Sequence, residues 1–164
     1  MKKYLLIILL SFPAIFTYGQ EKKLYDPQAN AQKDIAAAIK KARMEKKFVL
    51  IQGGGNWCSW CIEFARFAKA DPLIDTALQA GFIWYHLNFS KENENKKIFT
   101  RYGFPQRFGF PVFIILNGNG ERIHTQNSEY LEDGDKSYDH EKVLAFLKMW
   151  SPSALDPKNY DKNN

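Results

Sequence analysis

The two cysteines of this chain stand three positions apart, in Trp57-Cys58-Ser59-Trp60-Cys61, and no other cysteine occurs in its 164 residues. The apolar run Phe48-Val49-Leu50-Ile51 lies just before them, followed by Gly53-Gly54-Gly55. A short continuous apolar run has the length of a buried strand, the glycines break it, and a helix starts near Cys58. A bridge across so short a loop would stabilise the fold by only about 2 kcal/mol on the chain-entropy argument. It is a weak staple, so the pair is read as a redox switch.

The spacing on either side predicts alternating elements. A helix is expected over about Gln28 to Lys47, with Ile35, Ile39 and Ala42 on one face. A second should carry Ile62, Phe64, Ala65 and Ala68. Asp71-Pro72 has the chemistry of a cap and first helical turn, and opens a third to about Ala80. Phe82 to Phe89 reads as a strand, Lys96 to Tyr102 as a short helix, and Val112 to Leu116 as the clearest strand. Asn117-Gly118-Asn119-Gly120 signals a hairpin, with Glu121 to Thr125 returning antiparallel. Residues 127–138 read as polar loop. Asp139 caps a last helix with Val143, Leu144, Leu147 and Trp150 on one face. The fold class is α/β: a mixed sheet flanked by helices on both faces.

Met1-Lys2-Lys3 followed by an apolar run to Phe16, with Thr17 and Gly19 ahead of a cut before Gln20, has the anatomy of a secretory signal peptide. The domain plan is therefore a signal at 1–19, a domain at 20–155 and a flexible tail at 156–164. Losing Lys2 and Lys3 lowers the formal charge of +5 by two, to +3. So mild and scattered a charge does not call for nucleic acid. Export to an oxidising periplasmic or extracellular compartment makes a single cysteine pair more telling, because small secreted domains held by disulfides carry many cysteines.

Three motifs together resemble the thioredoxin superfamily, nearest its secreted thioredoxin-like branch. They are WCSWC after a buried strand, Gly109-Phe110-Pro111-Val112-Phe113 entering a later strand, and the NGNG hairpin. Tyr102-Gly103-Phe104-Pro105 adds to them. The resemblance covers about Phe48 to Thr125. It implies a thioredoxin-like fold and a thiol–disulfide oxidoreductase that acts on protein disulfides by reduction or isomerisation. It also implies a cis peptide before Pro111, facing the cysteines. Thioredoxins proper usually bear a buried aspartate six residues before the first cysteine; here that position is Gln52, which cannot take up a proton. Another group, Glu63 or water, would have to serve.

The thiolate is the nucleophile in disulfide exchange. A free cysteine is only about 3% ionised at pH 7, and about half ionised once its pKa is lowered to about 7. Cys58, at the helix start where N–H groups and the dipole favour an anion, is expected to attack. Cys61, one turn deeper, is expected to resolve. Trp57, Trp60, Phe110 and Pro111 are the candidate substrate-binding residues, with the Pro111 segment offering backbone groups to an extended chain. This chemistry needs no cofactor. Its expected partners are disulfide-containing proteins and a membrane-bound electron relay.

Other chemistries lack their residues. Zinc needs more ligands than the pair provides, and His86, His124 and His140 read as ordinary histidines. Ile62 stands where haem attachment needs histidine, and the glycines lack the ending of a phosphate loop. Arg107-Phe108-Gly109-Phe110 looks like an RNA-binding strand, but Pro111 interrupts it. Asn88-Phe89-Ser90 is a chance glycosylation triplet. A thioredoxin-fold binding module with an idle cysteine pair is the alternative function.

Overall fold

The computed structural model describes residues 23–161; the signal segment at 1–19 lies outside them. Nine principal elements follow in order: α1 (Ala31–Glu45), β1 (Phe48–Gly54), α2 (Ser59–Ala70), α3 (Pro72–Gly81), β2 (Phe82–Asn88), α4 (Lys96–Arg101), β3 (Val112–Leu116), β4 (Arg122–Asn127) and α5 (His140–Met149).

Side-chain caps set several of the helix starts. Asn30 accepts from Lys33 N, so α1 starts three residues later than the periodicity suggested. Asp71 accepts from Leu73 and Ile74 N, with Pro72 in the first turn of α3, and Asp139 accepts from Lys142 N at the start of α5. In the turn after β3, Asn117 Oδ1 accepts from Asn119 and Glu121 N, and Gly120 takes the φ of +81° that a turn here demands.

The sheet order is β2-β1-β3-β4. β1 runs parallel to β2 and antiparallel to β3, and β3 antiparallel to β4. Both faces are covered, which is why β1 and β3 read as unbroken apolar runs. On one face Leu50, Phe113 and Ile115 pack with Phe64, Ile74, Val143 and Leu147 of the helices. On the other Val49, Ile51, Ile114 and Leu116 pack with Ile35, Ala38 and Ala42 of α1 and with Ile98 and Phe99 of α4.

Three expectations need correction. The glycines do not end the first strand at Ile51: Gln52, Gly53 and Gly54 stay in β1, paired with His86, Leu87 and Asn88. In α2 the buried stripe is Cys61, Phe64 and Ala68, while Ile62 is 40% exposed. Residues 127–138 are not wholly loop. β4 runs to Asn127, a 3-10 turn spans Ser128–Leu131, and Leu131 and Tyr138 are buried in the core. Polar neighbours hid these two anchors from a reading by periodicity. Near the chain end, Pro157–Asn159 forms a 3-10 turn, with Tyr160 Oη donating to Ala154 O.

Candidate active site

The site is built where β1 ends and α2 begins. Cys58 is the N-cap of α2, in extended backbone conformation, and its Sγ accepts from Cys61 N at 3.1 Å. A first-turn amide of the helix therefore points at this sulfur, where it and the helix dipole stabilise negative charge. Cys61 lies one turn in and is fully buried, while Cys58 keeps 6% of its surface. The two are joined as a disulfide, with Cα atoms 5.2 Å apart.

The glycines make room for this arrangement. A Cβ on Gly54 would collide with Cys61 Sγ and stand 2.8 Å from Tyr25 Oη. One on Gly55 would strike the Trp57 indole and lie 2.8 Å from the Phe89 carbonyl. The residue at the end of β1 must be bare for Cys61 Sγ to come down onto the sheet.

The other predicted residues gather around the pair. The Phe110–Pro111 peptide is cis. The Phe110 ring packs against the buried cluster of Tyr25, Cys58 and Cys61 and meets Trp57 edge-to-face at 5.6 Å. Trp57 is 60% exposed, yet its Nε1 donates to the Phe89 carbonyl at 2.7 Å, so the ring is both presented and fixed. Trp60 packs onto the domain, edge-to-face with Tyr138 at 5.5 Å, and the Tyr138 hydroxyl donates to the Trp60 carbonyl.

Gln52 lies fully buried under α2. Its Nε2 donates to the Cys61 carbonyl at 2.9 Å and to Tyr25 Oη at 2.8 Å. Glu63, the suggested substitute for a buried acid, is held by Arg66 and the Ser137 hydroxyl. Its hydrogen bond from Arg66 keeps the carboxyl below the usual range despite some burial. It is engaged in a surface ion pair rather than with the sulfurs.

Tyr25 is the residue that sequence reasoning missed. It is fully buried and forms one cluster with Cys58 and Cys61. Asn56, next to the active loop, clamps its backbone from both sides: Tyr25 N donates to Asn56 Oδ1, and Asn56 Nδ2 donates to Tyr25 O. The only available signal was an isolated apolar pair, Leu24-Tyr25, between lysines and Asp26-Pro27.

The histidines go to separate places. His86 packs on Tyr25 and Trp84, His124 stacks on Trp150, and His140 pairs with Asp71. Among the described residues no group of three or more potential ligands is placed to hold a metal ion. Asn88 is buried at the end of β2, bonded to Ser90 and the Asn93 carbonyl.

A sulfur at a helix tip, joined to a buried partner one turn away, interconverts thiol and disulfide by exchange, and in this frame it defines a thiol–disulfide oxidoreductase. Comparison with known proteins agrees. The family profile described as thioredoxin-like matches residues 30–118, and the chain belongs to that family.

Among solved structures it is similar to a disulphide isomerase from Xylella fastidiosa Temecula1. That likeness has 20% identity and a TM-score of 0.68, covering 77% of this chain and 95% of that one. It is also similar to the oxidised C-terminal domain of Neisseria meningitidis DsbD, at 17% identity and a TM-score of 0.55, over 74% and 96% of the two chains. A thioredoxin from Thermus thermophilus matches at 20% identity and a TM-score of 0.51, over 70% and 81%. At such identities the likeness is one of fold. No curated protein matches the chain in sequence.

Proposed function

We propose that this chain is an exported enzyme that reduces or isomerises protein disulfides, with Cys58 as attacking and Cys61 as resolving sulfur. The observation that carries the reading is the asymmetry of the pair: Cys58 Sγ caps α2, with 6% of the residue still exposed, and Cys61 is fully sealed one turn further in. In the reduced enzyme the Cys58 thiolate attacks a substrate disulfide and forms a mixed disulfide, releasing one substrate sulfur as a thiolate that takes its proton from solvent. Cys61 then attacks Cys58 Sγ. The enzyme disulfide forms, the mixed bond breaks, and the second substrate sulfur leaves and takes the Cys61 proton.

Trp57 and Phe110 form an apolar wall beside Cys58, and the backbone at Pro111 accepts an extended substrate segment by strand addition. Phe104, 52% exposed, lies a few residues before that segment. Export rests on residues 1–19 as a cleaved signal, ahead of a domain over 20–155 and a tail over 156–164. No helix among the described residues is long and apolar enough to cross a membrane. A reductase in an oxidising compartment needs electrons, and a membrane-bound relay protein is the partner this reading requires.

Insulin reduction tests the activity. Turnover that vanishes in Cys58→Ser supports it, whereas partner binding without turnover supports a binding module. Equilibration with glutathione buffers tests the direction. A potential near −270 mV, about that of thioredoxin, favours reduction, and one near −120 mV, about that of a strong oxidant, overturns it.

A further inference from the structure

The buried polar group under Cys61 is an amide, Gln52, and its orientation is decided by its neighbours. The Cys61 carbonyl can only accept, so the nitrogen of Gln52 must face it, at 2.9 Å. The same nitrogen donates to Tyr25 Oη at 2.8 Å. Tyr25 is thus an acceptor in that bond, and its own hydrogen has no partner among the described residues. The hydroxyl lies on the side of Gly54 where Cys61 Sγ also lies, with no side chain on Gly54 to separate them.

We propose that the Tyr25 hydroxyl donates its free hydrogen to Cys61 Sγ when the pair is reduced, and so stabilises the negative charge that develops on that sulfur as it gives up its proton and resolves the mixed disulfide. The proposal rests on reading Cys61 as the resolving thiol. Gln52 orients this donor, and neither group takes up the Cys61 proton.

The surroundings leave this role to Tyr25. Burial pushes its hydroxyl far above the usual range, so it stays a donor at every working pH. It never acts as the base. The Cys61 proton passes to the departing substrate sulfur, and Tyr25 keeps its own. The other titratable groups packed near the pair are otherwise engaged. From β2, His86 meets the Tyr25 ring edge-on at 5.6 Å, and burial pushes it down to about 4, so it brings no charge at neutral pH. From the segment before α5, the Tyr138 hydroxyl is committed to the Trp60 carbonyl. On α2 itself, Glu63 is committed to Arg66 and Ser137. The first-turn amide of α2 is spent on Cys58 Sγ, so an anion at Cys61 in this buried setting depends on one neutral donor.

The test is a pH titration of the Cys61 thiolate by its ultraviolet absorbance in Cys58→Ser, with and without Tyr25→Phe. Removing only the hydroxyl is expected to raise the midpoint by about one pH unit, leaving about tenfold less thiolate below it. A midpoint that stays put in the folded double variant overturns the proposal. Should Tyr25→Phe not fold, 3-fluorotyrosine placed at position 25 keeps the shape and strengthens the donor. It is expected to lower the midpoint, and an unchanged or higher midpoint overturns the proposal equally. No substrate enters this measurement. A normal Tyr25 effect without insulin turnover would therefore refute the enzymatic reading alone, and turnover without a Tyr25 effect would refute this inference alone.

Discussion

The side-chain amide of Gln52 spans from the sheet to the carbonyl of Cys61, nine residues along the chain, at 2.9 Å. In doing so it fixes the first turn of α2 to the end of β1 without placing any charge beneath the sulfurs. Gln52→Ala would strip the partner from that carbonyl and from the Tyr25 hydroxyl, both buried. The expected loss is on the order of 1–3 kcal/mol. Urea unfolding of the oxidised protein measures it, and a loss below about 0.5 kcal/mol would mean that the amide does not hold the loop.

Gly54 sits where a methyl group would collide with Cys61 Sγ and crowd Tyr25. Neither neighbour can swing away, since one sulfur is bonded to Cys58 and the Tyr25 backbone is clamped by Asn56. Gly54→Ala should therefore destabilise the oxidised protein by about 1–3 kcal/mol or more, as overpacking does. Thermal unfolding reads this directly. A melting temperature equal to that of the parent would show that the loop relaxes freely.

Trp57 is anchored at one edge, through Nε1 to the Phe89 carbonyl, and packs on Phe110 with most of its surface in solvent. On the proposed function, Trp57→Ala should raise KM for a protein disulfide several-fold. Stability should fall by only about 1 kcal/mol, the worth of one exposed hydrogen bond. Alkylation of Cys58 in the reduced protein should proceed at an unchanged rate. An unchanged KM would remove Trp57 from the substrate wall.

Burial lowers His86 from an ordinary 6.5 to about 4, with the charge of Lys69 adding to the effect. The unfolded chain thus binds a proton between those values that the folded chain refuses. Stability from this residue is complete above about pH 6.5 and is lost as pH falls through 4, by about 3 kcal/mol in all. His86→Phe should flatten that part of the stability curve, as followed by denaturant midpoints from pH 7 to pH 4. An unaltered curve would mean that His86 is protonated in the fold.

Much of the architecture was legible because its signals are local. Asp71-Pro72 and Asp139 are caps that act on their own helices. Phe48 to Ile51 and Val112 to Leu116 are apolar on every residue because both faces of the sheet are covered. The dithiol, the cis Phe110–Pro111 peptide and the neighbourhood of Trp57 were expected from motifs and lie together in the fold. Leu131 and Tyr138 were illegible for the opposite reason. Each is an isolated apolar residue among polar ones, and only the far partners, such as the Trp60 carbonyl for Tyr138, show its role.

From its own residues the chain settled its element order, its family features and the pair of sulfurs that carry the chemistry. These depend on spacing, capping and residue type, which act over a few positions. What lies beneath the sulfurs was decided by tertiary packing. Tyr25 is 36 residues from Cys61 in the chain, as their numbers show, and no periodicity links them. Only the folded sheet, with a bare glycine at the end of β1 and Asn56 gripping the incoming strand of backbone, brings that hydroxyl and that sulfur to the same buried point.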